Sequence, residues 1–367
     1  MERLTYAGSG VDYSALDPFK RRAQLAGRST ADAIRRLGVS EVEMSRGESA
    51  YLVETAEGYL AHVEEGLGTK NLVADAMYRL VPTRSYYDHI AQDAVAMIVN
   101  DMVTLGALPL AVAMHLGAGS SDWFKDERRT ADLIDGWGKA CGLARCAWGG
   151  GETPTLGGVV EAATVVLAGS AIGMIQPKSR LIRANIQHGD AIVLFESSGI
   201  HANGLTLARA VAERASNGYL TPLGDGRPYG AALLDPTHIY VGAIEDCLNS
   251  GVEIHYAVNI TGHGWRKLMR ASEPFTYVVE RIPTPQPVFD VIQSIGGVDD
   301  AEAYGNFNMG AGFAVYVPEK DVATVLAVAK DFPFAAFRAG HVERSATKRV
   351  VIAPKGLEYA GDTLAVR

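Results

Sequence analysis

The sequence predicts a mixed α/β fold in two domains. Strand-like segments, glycine-rich turns and amphipathic helical segments alternate along the whole chain. A length of 367 residues is more than one hydrophobic core usually holds. Hydrophobic residues make up 48% and charged residues 21%, a balance typical of folded globular proteins rather than disordered chains. We place the junction at the polar and basic segment that begins at Pro177, so the expected domains are residues 1–176 and 177–367.

Hydrophobic periodicity predicts the elements of each domain. In the first domain these are a helix over 13–37, strands within 50–63, a helix over 89–105, a strand over 110–116 after a break at Pro109, a helix over 125–141, and strands near 144–148 and 163–175. In the second domain they include a buried strand over 191–195, a helix over 205–215, and final strand-like pieces at 313–317 and 341–342.

Four polar clusters interrupt the apolar sequence of the first domain. They are residues 64–70, Asp93, Asn100-Asp101, and residues 149–153. Carboxylates suit hard cations, a lysine acts as a point charge on phosphate, and glycines let main-chain N–H groups approach a ligand. The clusters therefore predict a split phosphate and metal site. The glycine-to-lysine spacing of a P-loop is missing, which disfavours a P-loop ATPase.

The helix over 89–105 carries the most informative cluster. Asp93, Asn100 and Asp101 share one face, and Asp93 and Asp101 lie roughly 12 Å apart along the axis, too far to chelate one ion directly. This span favours an extended ligand, such as a triphosphate with more than one Mg²⁺. The alternative is that both are solvated acids without a role. The 65–70 loop has a similar alternative, a surface turn with an unpaired lysine.

Two loops of the second domain suggest further ligand contacts. Residues 197–204 connect a strand to a helix, so hydroxyls, amides and a helix N-terminus converge on an anion-friendly point. His201 in this loop is expected to bind phosphate or transfer a proton, although a lone histidine in a turn is more often structural. Residues 259–264 are read in the same way, and residues 308–312 more weakly, because they also fit a turn before a core strand.

Composition excludes several classes of function. A formal charge of -8 without a dense Lys/Arg run argues against nucleic-acid and membrane-surface partners. The longest apolar stretch is too short to span a bilayer and the first residues lack an apolar leader, so we expect a cytoplasmic protein. Cys141, Cys146 and Cys247 form no C-x-x-C pair, which favours buried thiols over a disulfide framework or a zinc site.

Taken in order, several motifs resemble the aminoimidazole ribonucleotide synthetase family, also called phosphoribosylformylglycinamidine cyclo-ligases. They are residues 7–12, 68–70, 93–97, 100–101, 150–153, 197–204, 235–240, 260–262 and 307–310. The wider superfamily also holds formylglycinamidine ribonucleotide synthetase, selenophosphate synthetase, thiamine-monophosphate kinase and a hydrogenase-maturation protein. The resemblance implies a homodimer joined through the N-terminal sheets, a C-terminal α/β domain that completes the substrate site, and ATP bound with Mg²⁺. It also implies a reaction in which ATP phosphorylates the formyl amide oxygen of formylglycinamidine ribonucleotide and the imidazole ring closes as phosphate leaves.

The resemblance also implies a role for each candidate residue. Metal ligands would be Glu65, Asp93, Asp101 and Glu152. The bound nucleotide would contact Gly68, Thr69, Lys70, Asn100, Gly150 and Gly151. The acceptor, a phosphoribosyl amidine, would contact Ser198, Asn203, Gly204, Thr261 and His263. Lys20, His201 and Asp101 would be catalytic.

Departures from the family pattern lie mostly on the acceptor side. Glu65 stands where the family usually has Asp, Asn259 where it has His, and His263 where it has the middle glycine of a Gly-Gly-Gly run. The usual glycine-phenylalanine-glycine segment is replaced by a mainly acidic stretch, residues 41–48. ATP use is therefore expected more firmly than the named acceptor. The alternatives are a related ATP-dependent enzyme with another acceptor and a non-catalytic ATP-binding dimer.

Overall fold

The computed structural model describes residues 4–5, 8, 10 and 13–364. Ala7, Ser9, Val11 and Asp12 of the first family-like motif lie outside the described residues. The described residues form two sheets with helices packed against them. Within helix α1, side chains are described from residue 16 onward.

In the described part of the chain, the first sheet has six strands in the order β1-β2-β3-β6-β4-β5. Their bounds are β1 (Ser40–Glu41), β2 (Tyr51–Glu54), β3 (Tyr59–Gly66), β4 (Leu108–Ala118), β5 (Ala147–Glu152) and β6 (Val165–Ile175). All neighbours are antiparallel except β4 and β5, which are parallel. The accompanying helices are α1 (Tyr13–Arg28), α2 (Lys70–Leu80), α3 (Tyr87–Val103) and α4 (Glu127–Leu143).

The second sheet, over the same described range, has seven strands in the order β13-β12-β9-β11-β7-β10-β8. Their bounds are β7 (Ala191–Glu196), β8 (Tyr256–Asn259), β9 (Phe275–Val279), β10 (Ala311–Val317), β11 (Ala336–Arg344), β12 (Arg349–Ile352) and β13 (Leu357–Ala360). Only the β12–β9 pair is parallel. The helices are α5 (Leu205–Arg214), α6 (Tyr229–Leu233), α7 (Val241–Asn249), α8 (Pro287–Gly296), α9 (Asp300–Asn306) and α10 (Val322–Ala329).

Helix α3 joins the two halves of the molecule. It packs on α4 and on β3, β4 and β6 of the first sheet, and it also contacts α7 and β8 of the second half. Its apolar residues Ile90, Ile98 and Met102 are almost completely buried. Burial on both sides means that any polar side chain on this helix must find a partner within the protein.

The mixed α/β class and most predicted elements are confirmed, and four details are wrong. The helix predicted over 13–37 ends at Arg28, and a short 3₁₀ helix covers Ala31–Leu37. Pro109 lies inside β4, at a register shift, because an irregular position tolerates a residue without an N–H donor. The strand near 144–148 is shifted to Ala147–Glu152, so the glycines lie within it. Two more strands, β12 and β13, follow the last predicted one.

Candidate active site

A cavity of about 410 Å³ is lined by residues from both halves of the chain. Helix α1, strand β3 and helix α3 contribute from the N-terminal half, and the end of β8 with the turn after it contributes from the C-terminal half. The lining residues are Lys20, Gln24, Gly47, Glu48, Ser49, Glu65, Met97, Asp101, Asn203, Asn259, Thr261, Gly262, His263, Lys267, Arg270 and Leu364. Most of these residues are polar or charged, and the charged ones carry both signs, as suits a polar, charged ligand.

Six of the predicted site residues meet in this cavity. They are Lys20, Glu65, Asp101, Asn203, Thr261 and His263. Sequence reasoning missed Lys267, Arg270 and Leu364 as lining residues, and it named Asn259 as part of the 259–264 turn and as a departure from the family pattern. The other predicted site residues lie outside the cavity lining, and their surroundings are described below.

Glu65 and Asp101 form an acidic pair at the cavity. Glu65 lies near the end of β3, and Asp101, which is 8% exposed, lies near the end of α3. Burial, and then the neighbouring charge of Asp101, raises the pKa of Glu65 to about 7. Asn259 donates its side-chain N–H to Asp101 Oδ1 at 2.8 Å, which fixes that carboxylate. Two carboxylates that repel each other in this way favour a bound cation.

Lys267 brings a positive charge to the acidic pair. It lies on the 3₁₀ helix Gly264–Met269, and its ammonium contacts Thr261 Oγ1. Burial lowers the pKa of Lys267 to about 8, although the charge of Asp101 opposes this shift. His263 begins the same turn in a left-handed conformation (φ 69°), and burial lowers its pKa to about 3. His263 is therefore neutral at physiological pH.

Arg270 anchors the segment that replaces the family's glycine-rich stretch. Its guanidinium donates to Gly47 O at 2.9 Å and to Ser49 Oγ at 3.1 Å. It also lies 3.5 Å from Glu48, whose side chain is 4% exposed. The charges of Arg270 and Glu48 thus largely offset each other, and their contacts shape one wall of the cavity.

Lys70 and Asp93 form a completely buried ion pair apart from the cavity lining. The Lys70 ammonium lies 2.9 Å and 2.8 Å from the two oxygens of Asp93 and donates to Asp235 O at 2.8 Å. Asp93 also accepts from the N–H of Thr237 at 2.8 Å and from its hydroxyl. Burial raises the pKa of Asp93 and lowers that of Lys70, and each partner opposes the other's shift. A metal or phosphate reaches these groups only if this pair opens.

Asn100 makes a second link between the two halves. Its amide donates to His238 O at 2.8 Å and accepts from Tyr240 N at 2.9 Å. Asn100 is 1% exposed and Asp93 is 0% exposed. The alternative that this face of α3 carries solvated acids is therefore wrong.

The glycine clusters have clear structural causes. Gly68 takes a left-handed conformation (φ 76°) in the turn before α2, and Thr69 is the N-cap residue of that helix. Gly150 is also left-handed (φ 117°), and a Cβ on Gly151 would lie 2.0 Å from Met114 O. Both glycines belong to the edge strand β5, whose residues are all exposed and whose last residue is Glu152. Positions 150 and 151 therefore require glycine even without a ligand.

The loop over 197–204 is held by its own polar groups. Ser198 Oγ donates to Pro236 O at 2.6 Å, and Ser198 N–H donates to His201 Nε2 at 3.2 Å. His201 is buried, and burial followed by the charge of His238 places its pKa well below the usual value. Gly204 is left-handed (φ 83°) against the ring of Phe307. Among the predicted residues of this loop, Asn203 is the one that lines the cavity.

Asn308 is the structural centre of the motif over 308–312. Its side chain accepts from Ser197 Oγ and Gly310 N, each at 3.0 Å, and donates to Gly199 O at 2.9 Å. This buried network ties the 197–204 loop to the start of β10, so the motif is explained as a turn before a core strand.

The donor set at the cavity suits Mg²⁺. Over the described residues, no three His, Cys, Asp or Glu side chains gather around one point. Mg²⁺ is usually held by one or two carboxylates together with substrate phosphates and water. Glu65 and Asp101 supply two such carboxylates, so they fit a metal that arrives with a phosphate ligand.

In the described part of the chain, no helix is both long and apolar enough to cross a membrane.

Two family models match the chain in succession. The N-terminal domain of AIR synthase related protein matches residues 47–175, and its C-terminal domain matches residues 187–353. Curated relatives include the phosphoribosylformylglycinamidine cyclo-ligase of Methanothermobacter thermautotrophicus, which is 32% identical over 89% of this chain and 92% of its own length. The enzyme of the same name from Carboxydothermus hydrogenoformans is 32% identical over 96% of this chain and 99% of its own length.

Solved structures agree on the fold. HypE in a HypE–HypF complex has a TM-score of 0.61 at 17% identity and covers 92% of this chain and 98% of its own. T. maritima PurL complexed with FGAR has a TM-score of 0.58 at 16% identity, covering 92% of this chain and 50% of its own. AaThiL complexed with AMPPCP and TMP has a TM-score of 0.57 at 15% identity, covering 86% and 90%.

Proposed function

The chain belongs to the family of AIR synthase related proteins, and we propose that it is an ATP-dependent cyclo-ligase that converts formylglycinamidine ribonucleotide to aminoimidazole ribonucleotide in purine synthesis. The observation that carries this proposal is 32% identity to enzymes named for this activity, over nearly the whole of both chains. The cavity supports it, because an acidic pair from one half of the chain faces the 259–264 turn from the other.

The reaction needs the amide oxygen of the acceptor to become a leaving group. In our proposal, the bond between the γ-phosphorus of ATP and ADP breaks as a bond to the amide oxygen forms. The amidine nitrogen then attacks the activated carbon, and the oxygen leaves with phosphate as the ring closes and a proton is released. Phosphoryl transfer of this kind depends mostly on positioning and on neutralising negative charge.

We assign the cavity residues to the parts of that reaction. Glu65 and Asp101 hold Mg²⁺, which supplies charge neutralisation on phosphate oxygens when bound. Lys20, which reaches the cavity from α1, contacts the nucleotide phosphates. Thr261 and Asn203 present a hydroxyl and an amide to the acceptor.

The remaining predicted residues keep their roles as part of the proposal, although none of them lines the cavity. The nucleotide role of Lys70 and Asn100 and the metal role of Asp93 remain predictions, and the contacts described above support a further role for these residues in holding the two halves together around the site. The nucleotide role of Gly68, Thr69, Gly150 and Gly151, the metal role of Glu152, the acceptor role of Ser198 and Gly204, and the catalytic role of His201 remain predictions.

We also propose a homodimer joined through the first sheet. Leu60, Leu110, Val166 and Ile172, from neighbouring strands, are all exposed, whereas alternate residues of the same strands are buried. These apolar side chains share the exposed face with His62, Glu64 and His115, and such a mixed face is where we place the interface between the two copies. The proposed setting is the cytoplasm, where purine intermediates and ATP are available.

A second candidate function keeps ATP and changes the acceptor. Asn259 and His263, both departures from the family pattern, line the cavity together with Thr261. Neutral His263 and the amide of Asn259 present a different hydrogen-bonding surface from the glycine and histidine expected there.

Measured ADP release distinguishes the two candidates. The purified protein is incubated with ATP, Mg²⁺ and formylglycinamidine ribonucleotide, and in parallel with a panel of other amides, acids and alcohols. We expect ADP, phosphate and aminoimidazole ribonucleotide in equal amounts with the first acceptor. Turnover of another acceptor without turnover of that ribonucleotide would defeat the first candidate and support the second.

A further inference from the structure

Lys267 and Lys20 are the two lysines of the cavity lining, and the charge of Lys267 is left available for a ligand. Arg270 is occupied by Gly47, Ser49 and Glu48, as described above. Lys267 makes one hydrogen bond within the described residues, to the neutral hydroxyl of Thr261, and no carboxylate among those residues lies within ion-pair distance of its ammonium. Its charge nevertheless interacts with Asp101 and Glu65 across the cavity.

Lys267 is linked to both functional parts of the cavity. Its ammonium contacts Thr261 in the turn of the proposed acceptor contacts, and its charge interacts with Asp101 and Glu65, the proposed metal acids. A phosphoryl group that moves from ATP to the acceptor crosses the space between these parts. An ammonium in that space would contact the phosphoryl oxygens during the transfer itself.

We propose that Lys267 is a catalytic residue of the phosphoryl transfer: its ammonium binds an oxygen of the phosphoryl group in transit and remains on the phosphate as the ring closes. Lys267 keeps its proton throughout and supplies charge and hydrogen bonds, so it adds no new bond-making step. This inference rests on the proposed function for its acceptor, but the ammonium would act in the same way on a phosphoryl group bound for another acceptor. A compact ammonium suits this task, because it can follow the moving oxygen on a flexible stem.

The competing explanation is that Lys267 only fixes the turn through Thr261. Lys267→Met removes the charge and keeps much of the apolar stem, and Lys267→Arg keeps the charge with altered geometry. Lys320→Met is the matched control, because Lys320 is exposed and its ion-pair partner among residues 13–364 is the surface residue Glu253, at 3.5 Å. Thermal unfolding of all three variants tests whether the turn and the fold are intact.

The first readout is the separation of kcat from KM in the ADP-release assay. For Lys267→Met we expect kcat to fall about 100- to 1,000-fold, as it does when one donor to a developing anion is removed, with KM for ATP changed less than about threefold. Lys267→Arg is expected to recover part of the lost kcat, and Lys320→Met to match the wild type. A kcat for Lys267→Met within about threefold of the wild type, or a loss confined to KM, overturns the proposal.

The second readout needs no acceptor. Calorimetry compares binding of ADP with Mg²⁺ and binding of the same mixture with aluminium fluoride, which mimics a phosphoryl group in transit. We expect aluminium fluoride to tighten ADP binding about tenfold or more in the wild type and in Lys320→Met, and not in Lys267→Met. Equal tightening in Lys267→Met overturns the proposal.

The two proposals fail separately. If the wild type does not turn over formylglycinamidine ribonucleotide but the effect of aluminium fluoride depends on Lys267, the acceptor assignment is wrong and the lysine assignment stands. If the wild type turns over that acceptor and Lys267→Met does so equally well, the lysine assignment alone is wrong.

Discussion

Replacing Lys70 by Met tests whether the Lys70–Asp93 pair holds the two halves of the molecule together. Both side chains are 0% exposed, and the ammonium lies within 2.9 Å of both carboxylate oxygens. Within the described part of the chain, the substitution leaves Asp93 with the N–H and hydroxyl of Thr237 as its hydrogen-bond donors. It also leaves Asp235 O without the donor that lies at 2.8 Å. The variant therefore buries a carboxylate without its counter-charge.

The expected loss of unfolding free energy is large. Breaking a buried ion pair by removing one partner costs about 3–5 kcal/mol, and the lost hydrogen bond to the carbonyl adds about 1 kcal/mol. Removing both charges is much less harmful, since no unpaired charge remains. We therefore expect Lys70→Met to lose about 5 kcal/mol, and Lys70→Met with Asp93→Asn to lose less than about 2 kcal/mol.

The pH dependence of the single variant follows from the pKa of Asp93. Burial raises this pKa above its ordinary value, and loss of Lys70 removes the charge that opposes the shift. A carboxyl group whose pKa is raised by folding favours the folded state at low pH, where the group is protonated. This contribution to stability is lost as the pH rises through the folded-state pKa. The gap in stability between the wild type and Lys70→Met should therefore be widest near pH 8 and shrink as pH falls toward 5.

Urea unfolding followed by far-UV circular dichroism measures these differences, with ATP binding measured on the same samples. A Lys70→Met variant within about 1 kcal/mol of the wild type at pH 8 would refute the buried-pair reasoning. A double variant no more stable than the single one would show that the unpaired charge is not the cause. Normal stability with lost ATP binding would instead support the nucleotide role predicted for Lys70.

Three further predictions follow from single contacts. Glu65→Gln should stabilise the ligand-free protein by about 3 kcal/mol at pH 8. Folding raises the pKa of Glu65 from an ordinary 4.5 to about 7, so ionised Glu65 destabilises the fold by about that amount. Urea unfolding should show little difference between the variant and the wild type below pH 5. Asn259→Ala should lower kcat by releasing Asp101, and the kinetic assay should show less loss in Asn259→His, which restores a donor. Gly151→Ala should destabilise the protein by about 1–3 kcal/mol, because its Cβ would lie 2.0 Å from a carbonyl oxygen of the adjacent strand. Gly138→Ala, on an open helical face, should match or slightly exceed the wild type in thermal unfolding.

The elements with local sequence signals were predictable. Helix α3 was predicted over 89–105 and spans Tyr87–Val103, because its apolar residues recur at helical spacing. Strand β7 was predicted over 191–195 from an unbroken apolar run and spans Ala191–Glu196. Strands β12 and β13 were missed because each has four residues, and β12 pairs in parallel with the distant strand β9. Such pairing depends on tertiary contacts that a local pattern does not carry.

The candidate site was predictable where a motif ends beside the cavity, as at Asp101 and Thr261. Lys267 carried no signal, because a lysine between Arg266 and Leu268 looks like a surface residue until the 3₁₀ turn directs it inward. The spacing of Asp93 from Asp101 on one helix face suggested a shared ligand, but it carried no signal for the partners that Asp93 has in the structure, which are Lys70 on α2 and the backbone and hydroxyl of Thr237. The metal role of Asp93 stays a prediction.

The buried links on α3 bear directly on catalysis, because the same helix carries Asp101 to the cavity. Asn100, the residue before it, is fixed to His238 O and Tyr240 N, and Asp93 is fixed two turns earlier by Lys70 and Thr237. A helix clamped at two points along its length has little freedom to slide or rotate at its end. The direction of the Asp101 carboxylate is thus set partly by groups that lie outside the cavity lining. For that reason a Lys70 variant should lose activity in step with stability, whereas a Lys267 variant should lose activity alone.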